Sequence, residues 1–512
     1  MQDISKDSRT FKSVRNVSYG ILFQVINAVM SFVSRSFIIK YLGLDAVSLH
    51  GLFWELITMI SMAELGIGYA VTYNLYEPLS KNDTKKVAQL MQMYKIAYRV
   101  IAAVTFTVGS VLAIFIPYIV NGLHYDDTYT RVIFMLYVVK SSLSYLLTYK
   151  TTLLSADQKK YKYTWIHTIS RVVEVCVLVT IMVVTKSYIV YMIGDILVAC
   201  GTNFCCNCQA NRIYPYLKEK VEKIDKKERK NVFVNIKDVF IKKLSGQITN
   251  STDNILISTL VGTKLVGYYS NYSAIFSVFT KLEGQISAGI LASLGNLIVT
   301  EDSERVEKVL NKITDYYFLF ALISSAGVYT CAKPFICIWL GKEYVMAMPI
   351  VFICCFNLFL NLVKGPIWQA VDAAGLFKAD KYISIIGNVV NLVVSLVAGH
   401  FYGMIGIFAG TALTLIINLF MKIALFCKVK LKKNYKKYIA KWIKMLLSFV
   451  CILPLIGFLC DKCAVSNNYL TFIINGCISV IVSVVMVLVV YPGMLNFREI
   501  YRKIIKILPA TF

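Results

Sequence analysis

Fourteen apolar runs limit what this chain can fold into more than any other feature of its sequence. A helix that crosses the roughly 30 Å of hydrocarbon in a bilayer needs about 20 mainly apolar residues. Backbone polar groups at membrane depth must be hydrogen-bonded within the protein, so each such run predicts a membrane-spanning helix. We therefore expect an all-α polytopic membrane protein with 14 transmembrane helices. The runs lie approximately at 17–41, 48–77, 91–120, 131–154, 164–185, 188–208, 239–261, 266–299, 313–340, 346–373, 382–399, 402–426, 442–460 and 469–491.

The composition argues against a soluble protein and offers no catalytic centre. Hydrophobic residues make up 57% of the 512 residues and charged residues only 16%, whereas soluble domains carry about 25% charged residues. Most of the 14 cysteines lie inside apolar runs, and the CxxC spacing of Cys460 and Cys463 lacks the second ligand pair of a zinc site. The four histidines are scattered, and no glycine-rich phosphate loop occurs. We expect no catalytic residues, no metal and no bound cofactor.

The positions of the basic residues orient the chain in the membrane. With the N-terminus in the cytoplasm and one crossing per run, 35 Lys and Arg lie in cytoplasmic segments and five in the outer turns. Cytoplasmic loops of membrane proteins carry such an excess. The asymmetry predicts that both termini are cytoplasmic. It also accounts for the net charge of +25 without a nucleic-acid partner.

An internal repeat divides most of the chain into two similar halves. When the sequence is shifted by 219 residues, Gly43 falls on Gly262 and Glu64 falls on Glu283. The shift stays nearly constant from residue 16 to residue 163. Each copy holds six spans, an even number, so the copies enter the membrane in the same direction and a pseudo-two-fold axis along the membrane normal relates them. Two such lobes can rock against each other around a cavity at the midplane.

The runs, the charges and the repeat together predict the order of domains. The connector between the halves is charged, which predicts a solvated linker. The segments are an N-lobe with spans 1–6 at 1–208, a cytoplasmic connector at 209–237, a C-lobe with spans 7–12 at 238–426, a basic cytoplasmic linker at 427–441, spans 13–14 at 442–491 and a cytoplasmic tail at 492–512.

Charged residues inside the apolar runs are the candidate functional residues, because charge at membrane depth is costly and usually faces a cavity or another charge. Arg35 in span 1 lies nearly in register with Asp253 in span 7, so the two either pair across the halves or have separate roles. Arg171 and Glu174 lie three residues apart on one helix face, which also fits a structural ion pair. Lys140 lies near enough to a span end for its ammonium group to snorkel to the interface.

Five sequence blocks carry a family resemblance. They are YLG at 41–43, AELGIG at 63–68, NLYEPLSKND at 74–83, NSTDNILISTLVG at 250–262 and GYYSNYSAI at 267–275. These blocks resemble the polysaccharide transporter family, the Wzx-type flippases of bacterial O-antigen, capsule and exopolysaccharide synthesis. That family belongs to the multidrug/oligosaccharidyl-lipid/polysaccharide exporter superfamily. The resemblance implies two six-helix lobes in a V shape that move an undecaprenyl-diphosphate-linked oligosaccharide to the outer leaflet by alternating access.

The resemblance also implies a cationic cavity that suits an anionic diphosphate, and transport driven by a proton or sodium gradient. The implied partners are the lipid-linked oligosaccharide, bacterial membrane lipids, and polysaccharide polymerase and export proteins. The implied location is the bacterial cytoplasmic (inner) membrane. The substrate-binding candidates that fit by chemistry and rough position are Arg35, Lys140, Arg171, Lys281 and Lys364. The candidates for ion coupling or gating are Glu64, Asp195, Asp253 and Glu283.

Two other functions compete with this one. A cation-coupled multidrug exporter of the same superfamily would have a cavity that is apolar and acidic, whereas Lys and Arg inside the runs are at least as numerous as Asp and Glu. A polysaccharide polymerase or ligase generally needs a sizeable outer loop, and the predicted outer turns are short.

Overall fold

A computed structural model describes residues 9–61, 74–123, 125–157, 159–218 and 252–491. These described residues form helices and no β-strand, and eleven of the helices are long and apolar enough to cross a membrane. The eleven coincide with eleven of the fourteen predicted runs. Of the other three, 48–77 and 239–261 fall partly outside the described residues, and 266–299 lies within one helix of 38 residues. The chain is therefore an all-α, multi-pass membrane protein.

The α-helices extend past the predicted apolar runs at many of their ends. In chain order they are α1 (Arg9–Ile60), α2 (Thr84–Ile119), α3 (Asp127–Thr148), α4 (Thr151–Ala156), α5 (Lys160–Thr185), α6 (Tyr188–Ile213), α7 (Asp253–Leu256), α8 (Thr263–Thr300), α9 (Ser303–Trp339), α10 (Met348–Val363), α11 (Gly365–Ala373), α12 (Phe377–Tyr402), α13 (Met404–Phe426), α14 (Lys436–Lys462) and α15 (Asn468–Val490). A π-helical turn, Ile257–Gly262, joins α7 to α8, and another, Cys427–Leu431, follows α13.

The chain divides into two compact units. The first is Met1–Ala274 with Ser395–Ile407, and the second is Ile275–Val394 with Phe408–Phe512. In the first unit α1 packs on α5, α2 packs on α3, and α6 packs on both α3 and α5. In the second unit α9 is central and packs on α10, α14 and α15.

Aromatic side chains fill the interior of each unit. In the first unit, Phe53 of α1 meets Phe134 of α3 edge to face, with ring centroids 5.1 Å apart. In the second unit, Phe359 of α10 stacks on Phe449 of α14 at 4.1 Å and meets Phe318 of α9 edge to face. All five rings are fully buried. Ring pairs in these geometries stabilise a core by about 0.5–1.5 kcal/mol beyond the area that they bury.

Residues related by the 219-residue shift have the same local structure at two places. Asp83 and Asp302 cap α2 and α9, and each accepts a 2.9 Å hydrogen bond from the backbone N–H three residues later. Gly43 and Gly262 have φ angles of 84° and 136°, a region in which L side chains are strained. At Gly43 this backbone breaks α1 between the first and second apolar runs, so the two predicted runs correspond to two helical segments that meet at this glycine.

Candidate functional site

Arg35 lies in the first unit and hydrogen-bonds a neutral side chain. It is carried by α1, eight residues before the break at Gly43. Its Nη1 donates to Oδ1 of Asn271 on α8 at 3.0 Å, and Asn271 is fully buried. Among the described residues, no carboxylate forms an ion pair with Arg35. An amide oxygen satisfies one donor of a guanidinium but leaves its charge intact.

The two other predicted cations of the first unit are held by carboxylates. Lys140 Nζ on α3 donates to Asp195 Oδ2 on α6 at 2.6 Å. Arg171 Nη1 donates to Glu174 Oε1 at 2.6 Å within α5, so the ion pair that their spacing favoured is present. Arg171 Nη2 also donates to Ser31 Oγ on α1 at 3.2 Å. Because opposite charges at this distance offset each other, these two cations present less net charge than Arg35 does.

His50 lies among these charges and was not predicted from the sequence. Its Nδ1 is 2.5 Å from the hydroxyl of Tyr137, which lies 3.0 Å from the hydroxyl of Tyr188. The charges of Arg35, Lys140 and Arg171 all act on its ring. We use the name His50 cluster for this imidazole, the three cations that act on it and the two carboxylates that pair with them, namely His50, Arg35, Lys140, Arg171, Glu174 and Asp195. Three cations and two carboxylates leave these described groups with one excess positive charge.

The second unit brings Glu283 and Lys364 into electrostatic reach of each other. Glu283 Oε1 on α8 accepts a 2.5 Å hydrogen bond from Ser287 Oγ, which is 3.0 Å from the hydroxyl of Tyr317 on α9. Gly365 opens α11 beside this group, and a Cβ atom there would collide with Tyr317 and Glu283. Lys364 Nζ donates to Asn361 Oδ1 at 2.5 Å. Like Arg35, Lys364 rests on an amide oxygen and is in no ion pair with a described residue.

One buried ion pair of the second unit was missed in the sequence. Lys422 of α13 binds Asp380 of α12, and both side chains are 4% exposed. Lys422 was detectable as a cation inside the run 402–426. Asp380 was not, because it lies between the basic residues of a segment that the charge pattern places in the cytoplasm.

Three predicted site residues remain. Asp253 opens the short helix α7 in the first unit. Lys281 is exposed on the part of α8 that belongs to the second unit. Glu64 lies outside the described residues.

Comparison with known proteins identifies the family. A sequence profile described as "polysaccharide biosynthesis protein" matches residues 13–287, which is more than half of the 512 residues. The chain belongs to this family. No curated protein sequence matches the chain.

Solved structures show that this family member shares its fold with two kinds of transport protein. A lipid II flippase, MurJ in an inward closed conformation, superposes with a TM-score of 0.69 at 15% identity and covers 92% of this chain and 99% of its own. An inward-facing multidrug resistance MATE transporter gives 0.60 at 11% identity, covering 79% and 94%. The MATE multidrug transporter DinF-BH gives 0.60 at 12% identity, covering 83% and 97%. At these identities the likeness concerns the fold alone.

Proposed function

We propose that the protein is a flippase that moves undecaprenyl-diphosphate-linked oligosaccharide units across the bacterial cytoplasmic membrane for surface polysaccharide synthesis. The products would be O-antigen, capsule or exopolysaccharide, and the mechanism would be alternating access. The family match over residues 13–287 supports the pathway. The flippase superposition supports the transport step, because it extends over 92% of the chain, whereas the MATE superpositions above extend over 79% and 83%.

The observation that carries the proposal is that Arg35 bonds a neutral amide and is in no ion pair with a carboxylate of the described residues. A cation at membrane depth that rests on a neutral amide retains its attraction for an anion. The diphosphate of a lipid-linked oligosaccharide is such an anion, and it must enter the protein with its charge. Lys364 repeats the arrangement in the second unit with Asn361. Lys281 would contribute further positive charge along the substrate path, and Lys140 and Arg171 would contribute less, because their carboxylate partners offset most of their charge.

Contacts within the first unit support two lobes related by an axis along the membrane normal. A Cβ atom on Gly267 would collide with Ser48 Oγ, and a Cβ atom on Gly51 would collide with Ser270 Oγ. Ser48 and Gly267 are related by the 219-residue shift, and so are Gly51 and Ser270. Residues that touch their own repeat equivalents lie on a pseudo-two-fold axis. Two such contacts one turn apart are what an axis along the helices would produce, and they support parallel repeats.

The same proposal includes the full membrane topology. The proposed topology has fourteen spans, six in each lobe and two at the C-terminus, with both termini in the cytoplasm. The connector, the basic linker and the tail would then face the cytoplasm, where polysaccharide-synthesising partners load the substrate. Polymerase and export proteins would act on the unit after it has crossed.

For ion coupling we propose Glu283 ahead of Asp195. The Asp195 carboxylate is held by Lys140, so a driving cation would have to displace an ammonium group. Glu283 is held by a hydroxyl, which a proton or sodium ion displaces more easily. Glu64, the repeat equivalent of Glu283, and Asp253 remain candidates for coupling or gating.

The alternative is a cation-coupled multidrug exporter, which the MATE superpositions favour. The excess positive charge of the His50 cluster opposes a cationic drug and attracts an anionic lipid. Depletion of the protein in its native cell separates the two functions. We expect the lipid-linked repeat unit to accumulate on the cytoplasmic leaflet. Normal arrival of that unit at the outer leaflet, in a cell without a related transporter, would refute the flippase, and drug resistance on overexpression would favour the exporter.

A further inference from the structure

The ring of Trp368 is the second partner of the Lys364 ammonium group. Lys364 Nζ lies 5.5 Å from the centroid of the indole, in addition to its hydrogen bond with Asn361. Trp368 follows Lys364 by four residues, so helical geometry puts the two side chains on one face. An aromatic face attracts a cation through its quadrupole and carries no formal charge. Lys364 is therefore stabilised by two neutral groups.

A second cation lies on the same ring. Lys422 Nζ is 4.6 Å from the Trp368 centroid, and Lys422 is also bound to Asp380. Lys422 acts on Lys364 as a like charge, and Asp380 offsets part of that repulsion while the Lys422 ammonium group lies against the indole. Trp368 lies on α11, Asp380 on α12 and Lys422 on α13, so three helices contribute to the position of the indole.

The neutral contacts matter because a carboxylate lies nearby. Glu283 is within electrostatic reach of Lys364. If the two side chains formed an ion pair, the charge of Lys364 would be cancelled, as that of Lys140 is by Asp195. The indole and the Asn361 amide compete with that pairing.

We propose that Trp368 is a positioning residue, whose ring holds the Lys364 ammonium group away from Glu283 and keeps its charge available for the diphosphate of the substrate. The proposal rests on the flippase function proposed above. It assigns the indole no contact with the substrate. It predicts that the ring affects binding of an anionic lipid only through Lys364.

The test compares two lipids that differ only in charge. The purified full-length protein in nanodiscs is titrated with undecaprenyl diphosphate and with undecaprenol, and thermal unfolding of each variant is recorded. We expect Trp368→Leu to weaken diphosphate binding about tenfold, the factor that a cation–π contact of about 1.4 kcal/mol represents. Trp368→Phe, which keeps an aromatic face, should stay within about threefold of the wild type. Undecaprenol binding should not change. Trp165→Leu, at a tryptophan that is 41% exposed in the first unit, is the control.

A double-mutant cycle separates positioning from packing. In a Lys364→Gln background, Trp368→Leu should add less than about a twofold effect on diphosphate binding, because the two residues act as one. An equal effect in both backgrounds, or an equal loss for both lipids, would show that the indole only packs and would overturn the proposal. So would diphosphate binding by Trp368→Leu at wild-type strength. A wild-type protein with no preference for the diphosphate would overturn the flippase function, and this inference with it.

Discussion

Replacing Arg35 with alanine should slow transport far more than it destabilises the protein. The guanidinium bonds the amide oxygen of Asn271 at 3.0 Å, so its loss leaves a buried neutral group unpaired, at a cost of about 1–3 kcal/mol. A phosphate charge 4 Å from the guanidinium would gain about 4 kcal/mol at an effective dielectric constant of 20. Retained solvent and neighbouring charges reduce this energy by up to half, which leaves about 2–4 kcal/mol. Transport at low substrate concentration should therefore fall roughly 30- to 1000-fold.

The matched comparison is Arg171→Ala, which removes the same side chain from an ion pair. It leaves the Glu174 carboxylate, about one quarter exposed, without its partner. The loss of stability should be about 1–3 kcal/mol after allowance for that exposure, and Glu174→Gln in the same molecule should restore most of it. Arg131→Ala, at an exposed position of α3, should change neither the transport rate nor the stability.

The assay measures flipping of a fluorescent lipid-linked oligosaccharide in proteoliposomes, with thermal unfolding of each variant in parallel. The two variants should lose similar stability, but Arg35→Ala should lower the flipping rate far more than Arg171→Ala does, because Glu174 already offsets the charge of Arg171. A normal flipping rate for Arg35→Ala would remove Arg35 from the substrate site. Identical behaviour of both variants would refute the distinction between neutral and charged partners.

Three further predictions concern the framework around the site. Lys422→Met leaves the buried Asp380 carboxylate unpaired and should cost about 3–5 kcal/mol of stability. Urea unfolding measures this loss, and Asp380→Leu in the same molecule should largely recover it. Gly365→Ala should cost about 1–3 kcal/mol of stability, because the new methyl group collides with the Tyr317 ring and the Glu283 carboxylate. Gly284→Ala, which has open space around it, should be neutral or slightly stabilising. Ser48→Cys with Gly267→Cys should form an oxidative crosslink that neither single variant forms, detected after cleavage at a protease site inserted into the connector, and its absence would contradict the on-axis contact.

Features that depend on residues close in sequence were predictable. The membrane spans follow from apolar runs, and eleven of them coincide with a described helix that is long and apolar enough to cross a membrane. The Arg171–Glu174 ion pair follows from a three-residue spacing on one helix. The break at Gly43 has the glycine that its φ of 84° demands.

Contacts between distant helices were not predictable from one sequence. Lys140 and Asp195 are 55 residues apart, and no local pattern links them. Lys140 looked like a snorkelling side chain because its distance from the span end was the only information available. A search for intramembrane charge passes over Asn271, the neutral side chain that bonds Arg35, and over His50, whose partner is the hydroxyl of Tyr137.

In the proposed function Arg35, which no carboxylate of the described part of the chain pairs with, serves an anionic lipid substrate, and reconstitution of the purified protein tests this role most directly. Proteoliposomes that contain only this protein should move a lipid-linked oligosaccharide between leaflets, and pure undecaprenyl diphosphate should compete while undecaprenol and cationic drugs should not. The Arg35→Ala protein should lose this activity. Export of a cationic drug without movement of the lipid-linked oligosaccharide would contradict the account.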